Sequence, residues 1–337
     1  MEEGSKLPPQ LLELWSEGST VEGKTWLDLN EYSSALKRMR AAEGRVETER
    51  VSSAAFHPCA SSLLMATGDT LGKVGLWKSG GGWGDGGALL FEPHSGPVGC
   101  MAFCRAQPTQ LLSLSYDGSL RCMDVEKAVF HDVYGSNVGL RTFDFMSLDC
   151  FTLVVGNRLG DVAIVDRRTP GNTHESLHSL DPNTLRCVSV HPSLKHYFAV
   201  AESRVVNIYD CRYLKSTHSL AVSQLHGHSS SITSAYFSPC TGNRVLTTCM
   251  DNRIRHNMQT FLTKLSAVWD PKREDCFVVG SVCQSRMALA FHESGELQHS
   301  FIDREDLREV LSAIAIHPTR NAFLGCAASG RLHVFSD

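Results

Sequence analysis

The sequence lacks the features that mark membrane proteins, secreted proteins and common classes of enzyme. Its apolar runs stay well short of the roughly 18 residues that a membrane-spanning helix needs. The acidic start, "MEEGSKLPPQ", has no apolar segment of the kind that secretory signals contain, so we expect no such signal. There is neither a phosphate-binding G-x-x-x-x-G-K-S/T motif nor a G-x-S-x-G nucleophile elbow. We therefore predict no catalytic residue, no cofactor and no membrane contact.

An excess of positive charge and closely spaced cysteines are also missing. The formal net charge is −4, so a nucleic-acid site would have to be a local patch. The 12 cysteines include no C-x-x-C pair, which is the spacing typical of metal knuckles and redox motifs. We expect reduced thiols in a reducing, intracellular compartment. His226 and His228 flank one glycine at the start of a repeat, where a structural histidine is expected, so no metal site is predicted.

What the sequence does contain is a repeat of three strands. Each copy has an alternating strand that ends in His-Pro or a similar turn, a second apolar strand, a turn of Gly, Asp or Asn, and a third strand. The copies begin near residues 51, 98, 140, 185, 232, 265 and 311. Most spacings are about 42 to 47 residues, the period of four-stranded blades in WD40 propellers. The sequence therefore predicts an all-β, seven-bladed WD40 β-propeller, with His57, His191 and His317 in turns.

The N-terminal segment is expected to complete this ring. The last repeat ends with its third strand at Phe335, and "GRVETE", residues 44–49, can supply the outer strand that hides both sheet edges. Before it, apolar residues recur at helical spacing, namely Leu29, Tyr32, Leu36 and Met39. This short helix would either pack on the propeller or dock into a partner. We divide the chain into a helical extension, residues 1–43, and a propeller, residues 44–337.

The fifth repeat is shorter than the others. Its third strand is reduced to about "RIR", its outer strand has no clear counterpart, and roughly a dozen residues are missing relative to the period. The sequence thus predicts a truncated fifth blade. Two explanations stay open: a splice or gene-model variant, or a blade completed by "MQTFLTK".

Two motifs are candidates for binding partners. Asp-x-Arg follows two third strands, as Asp166–Arg168 and as Asp210–Arg212. An arginine there emerges at one rim of the ring, where its planar guanidinium can contact a partner or bond to its own blade. The second motif is a basic cluster around the shortened repeat, comprising Arg253, Arg255, His256, Phe261 and Lys264. Cationic side chains with an aromatic residue suit contact with distorted or unstacked DNA, although a solvated loop would look the same.

Several segments also resemble a known family. They include "SAYFSPCTGNRVLTTC", "AVWDPKREDCFVVGS", "FHESGELQHSF", "LSLSYDGSLRCMD" and "VDRRTPG". From about residue 27 to its end, the chain is similar to the WD-repeat family of the damage-specific DNA-binding protein 2, an ultraviolet-damage sensor. The resemblance implies a nuclear propeller that binds damaged or modified DNA on one face. It also implies that the other face docks onto the damage-specific DNA-binding protein 1 (DDB1) adaptor of a cullin-4 ubiquitin ligase.

The resemblance implies particular contact residues. The DNA face would include Arg50, Arg186, Arg255, His256, Asn257 and Arg286, together with Phe261 and Lys264 of the basic cluster. The adaptor would contact Asp210, Arg212 and Arg168. The chain departs from the family at "QTFLT", where relatives read "GRWLT", and at Thr70 and Thr184, where the ultraviolet sensor has lysines.

The predicted function is that of a non-catalytic nuclear protein of the DNA damage response. It would bind DNA and act as the substrate receptor of a cullin-4 ubiquitin ligase, as a monomeric subunit of a larger complex. The alternative is a protein-interaction scaffold whose DNA face is vestigial. Salt discriminates between them, because phosphate contacts make DNA binding fall steeply as salt rises.

Overall fold

A computed structural model describes residues 28–44, 49–79, 88–180, 185–250, 267–280, 288–302 and 311–337 of the chain. These residues form antiparallel β-sheets and one α-helix, α1 (Leu29–Arg38). No helix within these ranges has the length and apolar character needed to cross a lipid bilayer. All cysteines in the same ranges are free thiols.

Seven sheets follow the order of the sequence repeats, and each is numbered here by its repeat. Sheet 1 contains β2 (Val51–Phe56), β3 (Leu64–Asp69), β4 (Val74–Lys78) and β5 (Ala88–Phe91). Sheet 2 contains β6 (Val98–Phe103), β7 (Gln110–Ser115), β8 (Ser119–Asp124) and β9 (Val129–Gly135). Sheet 3 contains β10 (Leu140–Phe145), β11 (Thr152–Asn157), β12 (Asp161–Asp166) and β13 (Ser176–Ser179).

The remaining sheets continue this order. Sheet 4 contains β14 (Leu185–Val190), β15 (Tyr197–Glu202), β16 (Val205–Asp210) and β17 (Ser223–Leu225). Sheet 5 contains only β18 (Ile232–Phe237) and β19 (Val245–Cys249). Sheet 6 contains β20 (Ala267–Trp269), β21 (Cys276–Gly280), β22 (Ala288–His292) and β23 (Leu297–Phe301). Sheet 7 contains β24 (Leu311–Ile316), β25 (Ala322–Ala327), β26 (Leu332–Ser336) and, from the N-terminal side, β1 (Arg40–Gly44).

The sheets close into a propeller. The first strand of each sheet contacts the first strands of its neighbours, and β24 contacts β2, so the first strands line the inside of a ring. The prediction of an all-β propeller is confirmed. In the described residues, six sheets are four-stranded blades and sheet 5 has two strands, so the structure shows six complete blades rather than seven. The count of seven blades stays a prediction.

The His-Pro turns have the role expected of them. The N–H of Cys59 donates to Nδ1 of His57 at 3.1 Å, and the N–H of Leu194 donates to Nδ1 of His191 at 2.9 Å. The N–H of Arg320 donates to Nδ1 of His317 at 3.0 Å. Each imidazole therefore satisfies backbone donors that a turn would otherwise leave unpaired.

The strand that closes the ring lies earlier than predicted. Arg40 pairs with Ser336 and Gly44 pairs with Leu332, so β1 covers residues 40–44 rather than 44–49. The reason is that Met39, directly after α1, already has an extended backbone, and its buried side chain packs in the same cluster as Phe335. The docked helix thus fixes where the strand begins. The predicted boundary at residues 43/44 falls within β1, and we propose a boundary before Arg40 instead.

Helix α1 packs on the propeller, which was the first of the two alternatives. Asp28 caps its N-terminus by accepting a hydrogen bond from the N–H of Asn30. The hydroxyl of Tyr32 donates to Asp270 at 2.8 Å, which ties the helix to sheet 6. Its apolar face packs in one buried cluster with side chains of sheets 6 and 7, among them Val278, Phe301, Phe323 and Phe335.

Sheet 5, which has two strands in the described residues, is bonded to both neighbouring sheets. The N–H of Phe237 donates to Oγ of Ser189 in sheet 4 at 3.2 Å. On the other side, Nε1 of Trp269 donates to the carbonyl of Tyr236 at 2.9 Å. The residues that would continue this sheet, 251–266, lie outside the described ranges. The predicted truncation of the blade therefore stays a prediction.

Candidate nucleic-acid interface and partner rim

The alternation of strand directions gives the ring two rims. At the upper rim the first strands begin, beside the turns that join second to third strands. Hydrogen bonds connect these two features: the N–H of Thr70 donates to the carbonyl of Arg50 at 3.0 Å, and the N–H of Arg158 donates to the carbonyl of Gly139 at 3.1 Å. At the lower rim the first and third strands end. The upper rim comprises residues 49–50, 70–73, 95–98, 116–118, 139–141, 158–160, 185–186, 203–204, 231 and 328–331. The lower rim comprises residues 57–63, 78–79, 104–109, 124–128, 146–151, 166–170, 191–196, 210–214, 238–244, 270–275 and 317–321.

The upper rim carries arginines without acidic partners. Six arginines of this rim form no ion pair with a described residue, namely Arg50, Arg141, Arg158, Arg186, Arg204 and Arg331. By contrast, four arginines of the lower rim are paired with carboxylates: Arg168, Arg212, Arg244 and Arg273. Direct pairing therefore neutralises much of the lower rim's arginine charge, whereas the guanidinium charge of the upper rim stays available to an anionic ligand.

Two carboxylates at the upper rim, Asp69 and Asp117, accept hydrogen bonds from nearby backbone N–H groups. Asp69 accepts hydrogen bonds from the N–H groups of Leu71 and Lys73, at 2.9 and 2.8 Å. Asp117 accepts one from the N–H of Ser95 at 2.9 Å. These bonds fix the turns and direct the oxygens at the backbone instead of the arginines. Lys73 differs, because its Nζ lies 3.1 Å from an oxygen of Glu92.

An aromatic side chain lies beside one of these arginines. The guanidinium carbon of Arg141 is 5.7 Å from the ring centre of Tyr116, a cation–π distance. Tyr116 is 44% exposed and reaches over Gly99, where an added Cβ would lie 2.9 Å from the tyrosine ring. The glycine thus makes room for the ring.

Of the residues predicted to contact DNA, two lie in the described part of the chain. Both are on the upper rim, Arg50 at the start of sheet 1 and Arg186 at the start of sheet 4. Arg50 also borders an open cleft of about 590 Å³ with Leu71, Lys73 and Leu90. The other predicted residues lie outside the described ranges: Arg255, His256, Asn257, Phe261, Lys264 and Arg286.

Sequence reasoning missed Arg141 and Tyr116. Arg141 is the second residue of its first strand, as Arg186 is, and aligning the repeats would have placed the two in one column. Tyr116 follows the second strand of sheet 2 and has no counterpart in the motif that defined the repeat.

On the lower rim, each Asp-x-Arg motif forms a closed ion pair. Nε and Nη2 of Arg212 donate to the two carboxylate oxygens of Asp210, at 2.9 and 2.6 Å. Arg168 grips Asp166 in the same way, at 2.9 and 2.5 Å. The arginine fork lowers the pKa of each aspartate below its usual range. The structure thus shows the own-blade contact, one of the two interpretations left open by the sequence.

The paired arginines are nevertheless exposed. The side chains of Arg168 and Arg212 are 60% and 55% exposed, and Nη1 of each makes no hydrogen bond with a described residue. The ring of Tyr213, 74% exposed, lies 5.7 Å from the guanidinium carbon of Arg212. This part of the lower rim offers a held cation next to an exposed aromatic ring, a combination enriched at protein interfaces.

Metal chemistry has no obvious place in the described ranges. No cluster of three or more His, Cys, Asp or Glu side chains there is arranged to hold a metal ion. His94, the most heavily bonded imidazole of the upper rim region, contacts Oγ of Ser113 and of Ser119, both at 2.8 Å.

Comparison with known proteins agrees with this architecture. The model of the WD40 family (WD domain, G-beta repeat) matches residues 219–256. The chain is 41% identical over 362 residues to WD repeat-containing protein 76 of Rhinolophus ferrumequinum, covering 99% of this chain and 58% of that protein. It is 43% identical over 334 residues to the protein of the same name from Xenopus laevis, covering 92% and 57%. The chain thus spans somewhat more than half the length of these relatives.

A more distant relative carries a name that states a binding activity. DNA damage-binding protein 2 of Oryza sativa subsp. japonica is 25% identical over 335 residues, covering 85% of this chain and 54% of that protein. The predicted resemblance to this group of WD-repeat proteins is confirmed, and the propeller is a WD40 propeller. None of the three relatives has the name of an enzyme.

Proposed function

We propose that this WD40 propeller binds DNA with its upper rim and a protein partner with its lower rim. The observation that supports this division is the difference between the two rims. Six upper-rim arginines have no acidic partner among the described residues, whereas both Asp-x-Arg arginines of the lower rim are held by their own aspartates. Unpaired arginines suit an anionic ligand such as DNA, and arginines held by their own aspartates suit a protein partner.

The upper rim has the chemistry of a phosphate-binding surface. A guanidinium presents several N–H donors in a planar fork that fits phosphate oxygens, and it stays protonated at any physiological pH. Arg158 and Arg204 lie exposed on the turns of adjacent blades, so a polyanion can reach them without rearrangement. We include Arg50 and Arg186 in this surface, as well as Arg255, His256, Asn257, Phe261, Lys264 and Arg286.

The lower rim has the chemistry of a protein-docking surface. We propose that Asp210, Arg212 and Arg168 contact the damage-specific DNA-binding protein 1 adaptor of a cullin-4 ubiquitin ligase. The chain would then act as a nuclear substrate receptor in the response to DNA damage. This assignment draws on the resemblance to the family of DNA damage-binding protein 2 and on the exposed side chains of both arginines.

We also propose that sheet 5 is the inner half of a seventh blade. Its strands lie in the ring between sheets 4 and 6 and have the same register shift as the first strands of complete blades. The basic cluster follows directly after it in the chain.

A salt titration tests the DNA-binding half. The chain is titrated onto a short fluorescent DNA duplex between about 50 and 200 mM salt, and the logarithm of the binding constant is plotted against that of the salt concentration. We expect a steep negative slope that becomes shallower by about 0.9 in Arg50→Gln, since one phosphate contact is lost. Arg244→Gln is the matched control, because Arg244 lies on the lower rim in an ion pair with Glu293. Absence of duplex binding at low salt would support the scaffold alternative instead, which the net charge of −4 favours.

A further inference from the structure

Six first strands in the described part of the chain share one irregularity. In each, the pairing with the second strand shifts by one residue directly after the first residue, as in a β-bulge. The residue at the shift is left out of the ladder. In chain order these residues are Ser52, Gly99, Arg141, Arg186, Thr233 and Ser312.

Two neighbouring sheets have an arginine at this position, whereas the other four have a small residue. Sheets 3 and 4 are adjacent in the ring, because β10 contacts β14. Ser52 shows which part of the ring a side chain at this position can contact. Its Oγ donates to the carbonyl of Val98, on the first strand of the next sheet, at 2.7 Å. The side chain at the bulge therefore lies beside the gap between neighbouring first strands, at the upper mouth of the central channel. Arg141 and Arg186 occupy equivalent places there.

In the described part of the chain, neither arginine forms an ion pair or a hydrogen bond through its Nε. The Nε atoms of Arg141 and Arg186 are shielded from solvent and have no hydrogen-bond acceptor among the described residues. A shielded N–H without an acceptor is unfavourable by about 1–3 kcal/mol. An arginine that serves only the fold would be expected to bond like Arg273, whose Nε and Nη2 donate to the carboxylate of Asp275. Two such guanidiniums in equivalent places on adjacent blades suit the binding of one anionic ligand.

Tyr116 holds one of the two in place. Its ring lies against the guanidinium of Arg141 and crosses the sheet 2 position that Gly99 leaves open. The cation–π contact restricts the long arginine side chain without using its N–H donors. The donors at the end of the guanidinium are thus free to meet a ligand.

We propose that Arg141 and Arg186 form a phosphate-binding site at the channel mouth that engages the backbone of bound nucleic acid, with Tyr116 as the positioning residue of Arg141. This inference rests on the proposed DNA binding of the upper rim and extends it to Arg141 and Tyr116, which are not among the residues predicted to contact DNA. Nucleic acid is the favoured source of phosphate because Arg158 and Arg204 follow on the same two blades. A chain of phosphates would meet all four arginines in turn, whereas a single phosphate group would not.

The test compares arginine variants in the salt titration. Arg141→Gln and Arg186→Gln should each weaken binding to the duplex about tenfold, because each removes a charge-assisted contact. Each should also make the salt slope shallower by about 0.9, and the double variant by about 1.8. Arg244→Gln, with the same change of charge on the lower rim, should leave both quantities unchanged. Thermal unfolding of every variant shows whether the propeller is intact.

A second measurement tests whether Tyr116 positions the guanidinium of Arg141 or only stabilises the fold. Tyr116→Phe keeps the aromatic ring beside Arg141 and should bind the duplex like the parent. Tyr116→Leu removes the ring and should weaken binding several-fold, but only when Arg141 is present. Equal losses from Tyr116→Leu in the parent and in Arg141→Gln would contradict the positioning role.

The outcomes separate this site from the general proposal. If the parent binds duplex and the double variant matches it in affinity and salt slope, the channel-mouth site is wrong while upper-rim DNA binding stands. If the parent binds no DNA at any salt concentration, both are wrong. If a phosphoserine peptide binds the parent more tightly than the duplex and loses binding in the double variant, the site is for phosphate but the assignment to nucleic acid is wrong.

Discussion

At the scale of single residues, the Asp210–Arg212 pair matters more for binding a partner than for the stability of the fold. Asp210 accepts a hydrogen bond from the N–H of Arg212 at 3.0 Å, which caps the short 3₁₀ turn Cys211–Tyr213. The carboxylate is buried, with its side chain 3% exposed, whereas the arginine is 55% exposed. The guanidinium is largely hydrated, and Asp210 keeps its hydrogen bond from the N–H of residue 212 when the guanidinium is removed, so the pair contributes modestly to folding. The pair instead holds the guanidinium in one orientation, so that a partner does not have to order it.

This argument gives a prediction for Arg212→Ala. Binding to the damage-specific DNA-binding protein 1 adaptor should weaken by roughly 2 kcal/mol or more, as expected for an arginine at the centre of an interface. The unfolding temperature should change little. Titration calorimetry with the purified adaptor measures the first quantity, and a thermal melt measures the second. Arg244→Ala provides a lower-rim comparison outside the Asp-x-Arg motifs. Parental adaptor affinity in Arg212→Ala would show that the pair serves its own blade only.

At the scale of elements, the first strands and their turns could be predicted, but the closing strand could not be located correctly. The alternation of apolar residues and the His-Pro turns are local signals, and the structure has the strands where these signals occur. The segment 40–44, "RAAEG", contains good helix formers and reads as a continuation of α1. It forms a strand because pairing with β26 outweighs local propensity. Such pairing joins the two ends of the described chain, and no local pattern reveals it.

Sheet 5 depends on one carboxylate from the neighbouring sheet. Glu274 accepts hydrogen bonds from Oγ of Ser238 at 2.6 Å, from the N–H of Cys240 at 2.8 Å and from the N–H of Thr241 at 3.2 Å. These bonds hold the turn between β18 and β19 against sheet 6. On its other side, sheet 5 packs against sheet 4 through Ile232, Ala235 and Phe237, so the Glu274 bonds are a main part of its attachment to sheet 6.

We therefore expect Glu274→Ala to loosen sheet 5 selectively. The loss of these bonds, together with the one that the Thr241 hydroxyl donates to the same carboxylate, should destabilise this region by about 2–4 kcal/mol. Amide hydrogen exchange of residues 232–249 should accelerate, whereas exchange in sheets 1 and 2 should stay at the parental rate. Glu274→Gln keeps one acceptor oxygen and should have a smaller effect. Uniform acceleration across all sheets would mean that sheet 5 unfolds only with the whole ring.

At the scale of the whole molecule, the sequence indicated which residues meet at a rim but not how their charges are paired. The repeat fixes that Arg50 and Arg186 begin first strands, so their common rim follows from the fold. Whether a guanidinium bonds to its own blade is decided by side-chain geometry. The sequence left that question open for Arg168 and Arg212. The same limit hid Arg141, whose role depends on a bulge that only strand pairing reveals.

Two buried histidines make the stability of the whole ring dependent on pH. Burial lowers the pKa of His94 to about 4, and burial likewise lowers the pKa of His317 to about 4, from an ordinary value of 6.5. His317 donates from Nε2 to the carbonyl of Cys59 at 3.0 Å and so joins sheet 7 to sheet 1. Both rings are neutral in the folded state. Unfolding exposes them, and the unfolded chain then binds protons that the folded chain excludes.

The sign of the effect follows from this difference. Between pH 6.5 and about 4 the unfolded state holds more protons, so the free energy of unfolding falls as the pH falls. Each histidine should contribute up to about 3 kcal/mol to this loss, which is complete near pH 4. Paired carboxylates act in a lower window. Asp275, for example, has its pKa lowered to about 2 by the hydrogen-bonded guanidinium of Arg273.

Denaturant unfolding at a series of pH values checks this prediction. The parent should lose stability steadily from pH 6.5 to 4, and His94→Asn or His317→Asn should start from a lower stability but lose less of it across the same range. The exposed His131, changed to Asn, is the surface control for the substitution itself. A parent whose stability is flat between pH 6.5 and 4, or whose pH profile is unaffected by both buried-histidine variants, would contradict the assignment. Acid sensitivity of the ring would then have to arise from the carboxylates, below pH 4 rather than above it.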